Sequence, residues 1–440
     1  MTRAPGEGGL VRALGTWGLA ASIVNITIGG GIFRAPGSAE VTGRLGAAAP
    51  LAYVVCAIAM AFVVLCFAEA GRRVALTGGP YAYVERAFGR FAGFLVGWQL
   101  WLVGTIATAA VATIFADSAL RLFPALPPVP GRAVLLVGMF AIVSLINVLG
   151  VQFGARLNMA STIAKLVPLG LLIVFGLANA QSANFAGASM PGLGDLGRAS
   201  IVVLFVFAGL ESALVPSGEV KDPARTVPRA VFIALGVITL VYILIQVAAQ
   251  GVLGSSLAGR NAPLADLGEA VMGPFGGGMI GIAVVLSTFG YLCGMILAIP
   301  RALFAFARDG VLPSAVSSVH PRFHTPWVAI IVQAVLSLAL ALTAVWEQLV
   351  IFANVAVLFV YLGCAAAAWQ LRRVGISDEV SAPPKIPGSA LGPPLASLVI
   401  VALLASVTAT EWVWIAGAAA AGLLLYWFSQ LRRKQVAPAG

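Results

Sequence analysis

The residues with the most chemical potential in this chain are backbone groups in unusual places. Gly29, Gly30 and Gly31 follow one another near the middle of a long apolar stretch, and Ala208-Gly209, followed by Glu211, lies at a comparable depth in a second stretch. Glycine weakens a helix by roughly 1 kcal/mol relative to alanine, and three in succession let the backbone unwind. Freed N–H and C=O groups cannot face hydrocarbon, so such breaks imply a cavity between helices that these groups line. Lys165 adds a charge in a third apolar stretch, about ten residues from its basic end and so roughly 15 Å deep. An ammonium there must face the protein interior and meet carbonyls or a carboxylate. Convergent catalytic signatures are missing from the apolar stretches: they hold no HExxH, no GxSxG and no acidic pair at helical spacing, which argues against an enzyme.

These residues must be positioned by membrane helices. Of 440 residues, 60% are hydrophobic and 10% charged, with mean hydropathy +1.01, far from the composition of soluble domains. Twelve apolar spans are expected, at 15–42, 47–70, 90–119, 133–151, 157–179, 199–216, 229–253, 276–306, 326–345, 348–371, 393–409 and 411–431. Loops of at most about 25 residues leave no room for a soluble domain.

The net charge of +10 is distributed by loop. Nineteen basic residues, among them Arg72, Arg73, Arg86, Arg90, Arg301, Arg372 and Arg373, fall in one alternate set of loops and termini; five (Arg44, Arg121, Arg132, Arg198 and Arg260) fall in the other. The positive-inside rule then places both termini in the cytoplasm of an inner (plasma) membrane protein. Lipid headgroups, not nucleic acid, are the expected partner of the positive charge. Cys56, Cys66, Cys293 and Cys364 all lie within spans without metal-ligand spacing, so they read as packing residues, and neither metal nor cofactor is expected. His320 and His324 sit in one basic-side loop, too far from the midplane to take part in coupling. Asp117 and Glu69, near span ends, suit capping or loop-anchoring ion pairs.

Interrupted spans at matching places in two halves point to an inverted repeat, spans 1 to 5 (about 12–180) against 6 to 10 (about 197–372), with spans 11 and 12 (about 393–431) added. Spans 3 and 8 are both about 30 residues, as that correspondence requires.

Four motifs in order carry a resemblance to a known family. Gly29-Gly30-Gly31-Ile32-Phe33 with Pro36-Gly37 is similar to the GSGIF signature of the amino acid, polyamine and organocation (APC) permease superfamily, with Gly30 where serine is usual. FAEAGRRVALTGGPYAYVERAFG (67–89), FAGLESALVPSGEVKDPARTVPRA (207–230) and STFGYLCGMILAIPRALFAFARDGVLP (287–313) resemble the stretches around that superfamily's helices 2 to 3, 6 and 8. The resemblance implies an all-α polytopic fold of twelve transmembrane helices, a LeuT-type 5+5 inverted repeat plus two extra helices, acting as an amino acid permease. The substrate would lie between the broken helices. Amides near Gly30 to Phe33 would meet the α-carboxylate, and carbonyls around Ile28 and Phe205 to Ala208 the α-ammonium.

The resemblance also implies roles for single residues. Ile28, Gly29, Gly30, Gly31, Ile32, Phe205, Phe207, Ala208 and Gly209 would form the headgroup site, and Val103, Gly104 and Thr108 a small uncharged side-chain subsite. Lys165 would stand where relatives hold sodium, allowing sodium-independent transport with protons as a coupling partner. Glu211 and Arg34 would organise the break or a gate. A neutral amino acid suits this subsite; a cationic amino acid or polyamine exchanger, which needs acidic or aromatic groups at the distal end, and a non-transporting sensor are the alternatives.

Overall fold

The computed structural model describes residues 15–74, 79–149, 155–186, 189–209, 223–308, 310–323, 325–376 and 388–436, and these are helical with short connections. Glu211, His324 and the second half of span 6 lie outside the described residues. Among the described residues, seven helices are each long and apolar enough to cross a membrane, and a bent pair makes an eighth. Three shorter apolar helices and Leu193–Phe207 account for the remaining expected spans. The chain is an all-helical, multi-pass membrane protein.

The first span breaks as its glycines require. Helix α1 (Thr16–Thr27) ends before Gly29, and the chain resumes at an angle of 47°. Its outer half is not an α-helix but a succession of tight turns, Gly31–Phe33 and Ala35–Gly37 in 3-10 form and Ala39–Gly43 in π form. Pro36, with no N–H to donate, and Gly37 account for the interruption. Then follow α2 (Pro50–Gly71), a short α3 (Pro80–Phe88), the 33-residue α4 (Arg90–Leu122), α5 (Pro128–Val148), α6 (Ala155–Ala178) and α7 (Leu193–Phe207).

Helix α3 lies in what reads from hydropathy as a loop. Pro80 at its first turn and positive-φ glycines on either side, Gly79 and Gly89, bound it. Helices α8 (Pro223–Leu253), α9 (Pro263–Ala298), α10 (Pro300–Arg308), α11 (Trp327–Thr343), α12 (Trp346–Val374), α13 (Gly392–Leu404) and α14 (Ala409–Val436) complete the chain. Span 8 is more broken than its hydropathy suggests. It kinks at Gly273 (φ 70°), before Pro274, and steps again at Pro300, where α10 begins.

Helices α4 and α12 are mostly buried and form the centre, packing against each other, with α9 and α11 also against α4. Helices α5 and α14 turn apolar side chains such as Val134, Ile142, Val413 and Leu424 outward, as a lipid-facing surface requires. A separate aromatic cluster of Phe94, Trp98, Trp101 and Phe306 joins α4 to α10 and α11, and Trp98 donates its indole N–H to the Ala418 carbonyl of α14 at 2.9 Å.

The two ends of the bundle are tied by different ion pairs. At the basic end Glu69 is wholly buried and accepts from Arg72 (2.8 and 2.6 Å) and Arg73 (2.8 Å). Arg73 also donates to the Leu371 and Ile376 carbonyls, each at 3.3 Å, so this clamp fastens α2 to the end of α12. At the opposite end Arg198 reaches both carboxylate oxygens of Glu411 at 2.7 Å and Glu40 at 3.3 Å, while Arg44 bonds Glu40 and Asp195. Hydrogen bonds from Arg44 to Glu40, then to Asp195, raise its pKa above the ordinary arginine value. The sequence expectation of loop-anchoring ion pairs at Glu69 therefore corresponds to a contact between distant helices.

Replacing Glu69 with glutamine leaves two guanidinium groups at a buried site without their counter-charge. Removing one partner of a buried pair costs about 3–5 kcal/mol, so the unfolding midpoint of E69Q in detergent, followed by scanning fluorimetry, should fall well below wild type. An unchanged midpoint would show that the clamp does not hold α2 to α12.

Candidate functional site

The two breaks meet inside the bundle. Helix α7 ends at Ala208 in an extended conformation (ψ 145°), and Gly209 follows with φ +115°, a region that side chains other than glycine rarely adopt. A Cβ at Gly209 would stand 3.5 Å from Thr27 Cα, so the end of α7 lies against the end of α1. Each end releases carbonyl groups that no longer have a helical partner.

Several of these groups are answered from neighbouring elements. Within the break, the Ile28 and Gly29 amides donate to the Val24 and Thr27 carbonyls. The Tyr242 hydroxyl of α8 lies 2.9 Å from the Thr27 carbonyl and 2.7 Å from that of Val206, so one donor serves both broken helices. Tyr242 is fully buried and its ring meets Phe207 edge-on at 5.2 Å. Lys165, also buried, donates its ammonium to the Asn25 carbonyl in the last turn of α1, where a cation is favoured by the helix dipole. The first hydrogen bonds beyond the break are from Phe33 N–H to Gly30 C=O and Arg34 N–H to Gly31 C=O, each 3.1 Å. The amides just before them stand at the start of a 3-10 turn, without partners in it. Because that turn is only three residues long, its anion-binding capacity rests on the individual amides more than on a helix macrodipole.

A cavity of about 390 Å³ opens off these breaks. Gly29, Gly30, Gly31, Val103, Gly104, Phe205, Ala208 and Gly209 line it, as do Ile26, Thr27 and Val206. Its wall continues past Trp101, Ile299 and Ala302 to Pro80 in α3, so it runs from mid-bundle toward the basic end. Four residues expected at the site have side chains that do not line the cavity. Ile28 and Ile32 point into the core, Thr108 is fully buried with its hydroxyl donated to the Gly104 carbonyl at 2.6 Å, and Phe207 packs on Tyr242.

The space beside Gly30 is taken by its neighbours: a Cβ there would meet Thr288 Cγ2 and Val111 Cγ1 at 3.0 Å each. The glycine in place of serine thus goes with a close approach of α4 and α9 to the break.

The opposite end is closed over the breaks. Arg34, following the break in span 1, donates to Asp117 of α4 at 2.5 Å and to Asn261 at 2.8 Å, and its guanidinium lies 5.3 Å from the Trp346 ring centre. Arg132 of α5 reaches Asp117 from the other side at 3.3 Å, and Trp346 in turn meets Phe205 edge-on. Arg34, Asp117 and Trp346 thus link span 1, α4 and α12 above the cavity. His320, at the other end, accepts the Arg322 and Phe323 amides and shapes a turn, a local role away from the cavity.

Comparison with known proteins decides the family. The amino acid permease family profile matches residues 14–429, nearly the whole chain. The chain belongs to the amino acid permease family. This permease is 30% identical over 369 residues to the serine/threonine exchanger SteT of Bacillus subtilis, covering 81% of this chain and 82% of that one. It is 27% identical over 443 aligned positions to the branched-chain amino acid permease BcaP of the same organism, covering 96% and 93%. To the mouse large neutral amino acids transporter small subunit 2 it is 30% identical over 355 residues, covering 77% and 65%.

Sequence reasoning about this permease missed Tyr242, Asn354 and the contribution of α9 and α12 to the cavity. Asn354 lines the cavity, donates its amide to the Ile201 carbonyl of α7, and keeps its buried Oδ1 without a partner among the described residues. The Thr27 hydroxyl, also in the wall, is likewise without one. A signal existed: a lone amide in the apolar run around Asn354 is a functional-site candidate by default.

Tyr242→Phe removes the shared donor and keeps the ring. Two buried carbonyls then lose a partner, at about 1–3 kcal/mol for an unsatisfied group, and the relative placement of α1 and α7 loosens. Amino acid affinity, measured by ligand-induced thermal stabilisation of purified protein, should fall by about tenfold or more for a loss near 1.4 kcal/mol. Wild-type affinity in Y242F would remove Tyr242 from the site's architecture.

Proposed function

We propose that this permease carries small or medium neutral amino acids by alternating access, independently of sodium, with Lys165 as the group that couples transport to protons. The observation that carries this reading is the chemistry of the cavity wall: its volume lies in the usual range of about 300–1,000 Å³ for small-molecule sites, and among the described residues no Asp, Glu, Lys or Arg lines it. A zwitterion's two charges can be met by backbone groups at the breaks. A second charge at the distal end would find no counter-ion among the described lining residues, which disfavours the cationic amino acid and polyamine reading. The relatives named above act, by their names, on serine and threonine, branched-chain or large neutral amino acids, all uncharged in the side chain.

The backbone amides beyond Gly30 receive the α-carboxylate, and the carbonyls at the ends of α1 and α7 the α-ammonium. Asn354 and Thr27, both wall residues, each hold a buried oxygen without a partner among the described residues, and a rotation of either side chain would bring an acceptor to a substrate hydroxyl. With the positive-inside orientation, termini in the cytoplasm, the cavity faces inward, and Arg34 with Asp117 is the closed outer gate. Binding that bridges the two breaks stabilises an occluded state, from which the bundle rocks between access states about the repeats at 12–180 and 197–372. Lys165, bonded to the last turn of α1, biases that equilibrium by its charge.

Uptake of radiolabelled amino acids into proteoliposomes, with an inward proton gradient, with sodium, or with preloaded internal amino acid, tests the reading. Accumulation of a neutral amino acid driven by the proton gradient without sodium is expected, and Lys165→Ala should abolish the gradient's effect. Flux only into preloaded vesicles would make the protein an exchanger, binding without flux a sensor, and an unchanged pH dependence in K165A would remove the lysine from coupling.

A further inference from the structure

Helix α11 carries one glutamine in a 17-residue apolar sequence, and the structure shows what it binds. Gln333 is wholly buried and faces α4. Its Oε1 accepts the Trp101 indole N–H at 2.9 Å; because an indole can only donate, this contact fixes which way the amide points. Its Nε2 donates to the Thr105 hydroxyl at 3.1 Å and to the Ser337 hydroxyl at 3.2 Å. Thr105 passes its own hydrogen to the Trp101 carbonyl at 2.8 Å, and Ser337 passes its hydrogen to the Thr105 carbonyl at 3.0 Å. Two pairs spaced by four residues, Trp101 with Thr105 on α4 and Gln333 with Ser337 on α11, thus form a closed network with every donor used. Polar groups inside a membrane protein persist where such satisfaction repays their desolvation.

One member of this network belongs to the cavity. Trp101 lines it, and among the described residues is the only aromatic that α4 contributes to the wall. It lies ten residues before Val111, which touches the Gly30 site, and therefore about 15 Å nearer the basic end of α4. Three residues on, Gly104 makes a notch that the Ile299 side chain fills: a Cβ at Gly104 would overlap Ile299 Cδ1 at 2.2 Å. Trp101, Gly104 and Ile299 together line the part of the cavity between the breaks and the basic end, so a substrate moving along it passes the Trp101 ring.

We propose that Gln333 is a positioning residue for substrate size: it holds the Trp101 indole back in the α4–α11 interface and so keeps the basic-end half of the cavity wide enough for bulky neutral side chains. This inference rests on the neutral amino acid reading above. Without the glutamine, the indole N–H is buried with no partner, and the adjacent space that water can enter is the cavity. The ring then turns toward that space and narrows it. Small substrates still pass; large ones do not.

The test is proteoliposome uptake of two neutral amino acids, one alanine-sized and one phenylalanine-sized, by wild type, Gln333→Leu, Gln333→Glu and Trp101→Phe. In Q333L the KM for the large substrate should rise by about fivefold or more relative to that for the small one, the loss expected for one hydrogen bond, with kcat for the small substrate unchanged. W101F, with a smaller ring and no N–H to leave unpaired, should not lose the large substrate, and on that background Gln333→Leu should no longer change the ratio. Q333E, which retains an acceptor of the same reach, should restore the wild-type ratio. Equal losses for both substrates in Q333L, or additive effects in the double variant, would overturn the proposal. If Q333L fails to fold, Gln333→Met, which keeps the length of the side chain and removes the acceptor, decides alone: an unchanged size ratio overturns the proposal. Wild-type protein that carries neither amino acid would instead defeat the neutral amino acid reading itself, and this inference with it.

Discussion

Two helices that stop in the middle of a membrane protein leave backbone groups that hydrocarbon cannot satisfy, and the surrounding architecture is organised around answering them. Tyr242 stands between the Thr27 and Val206 carbonyls, and Lys165 reaches the Asn25 carbonyl. Each comes from a helix outside the broken pair. Gly30, Gly31, Thr27 and Asn354 line a cavity beside the breaks, and the buried oxygens of Thr27 and Asn354 have no partner among the described residues. A buried hydroxyl or ammonium without such a task would cost stability; here each replaces a hydrogen bond that the helices gave up.

This arrangement demands close packing. Gly209 brings α7 against α1, and Gly30 leaves room for Val111 and Thr288 to close on the break from α4 and α9. The rigid frame behind them is held by buried polar contacts between distant parts of the chain: Gln333 between α11 and α4, Glu69 and Arg73 between α2 and α12, Arg198 and Glu411 between α7 and α14. Above the breaks Arg34 is paired with Asp117, while below them the cavity runs to Pro80 and Ala302. The asymmetry is that of a transporter resting with one side shut. Under the proposed alternating access, opening the shut side would separate Arg34 from Asp117 and Asn261.

Much of this was legible in the sequence because the membrane simplifies the code. Hydropathy located the long apolar helices of the described residues and the shorter ones beside them, and the triple glycine and Ala208-Gly209 marked the breaks, since glycine runs at mid-span have few other uses. Motif resemblance brought Val103, Gly104 and Phe205 to one place, and these do line the cavity. Thr108 and Phe207 did not follow: one turn of helix or one residue past a break rotates a side chain from cavity to core, and rotation about a helix axis is set by tertiary packing. Helix α3 was hidden because its composition is that of a loop and its ends are set by two glycines with positive φ. Tyr242 was hidden for another reason. A tyrosine in an apolar span looks like packing until the two carbonyls it reaches, 36 and 215 residues away in sequence, are seen together.

The central claim is that main-chain groups at the two breaks read the charged headgroup of a neutral amino acid. Calorimetric titration of the purified permease with one transported amino acid, its methyl ester and its decarboxylated amine tests it most directly. Binding by the zwitterion, with loss of measurable affinity when either the carboxylate is esterified or removed, is the predicted result. Equal affinity for the amine would contradict the account, because the amides beyond Gly30 would then have no carboxylate to hold.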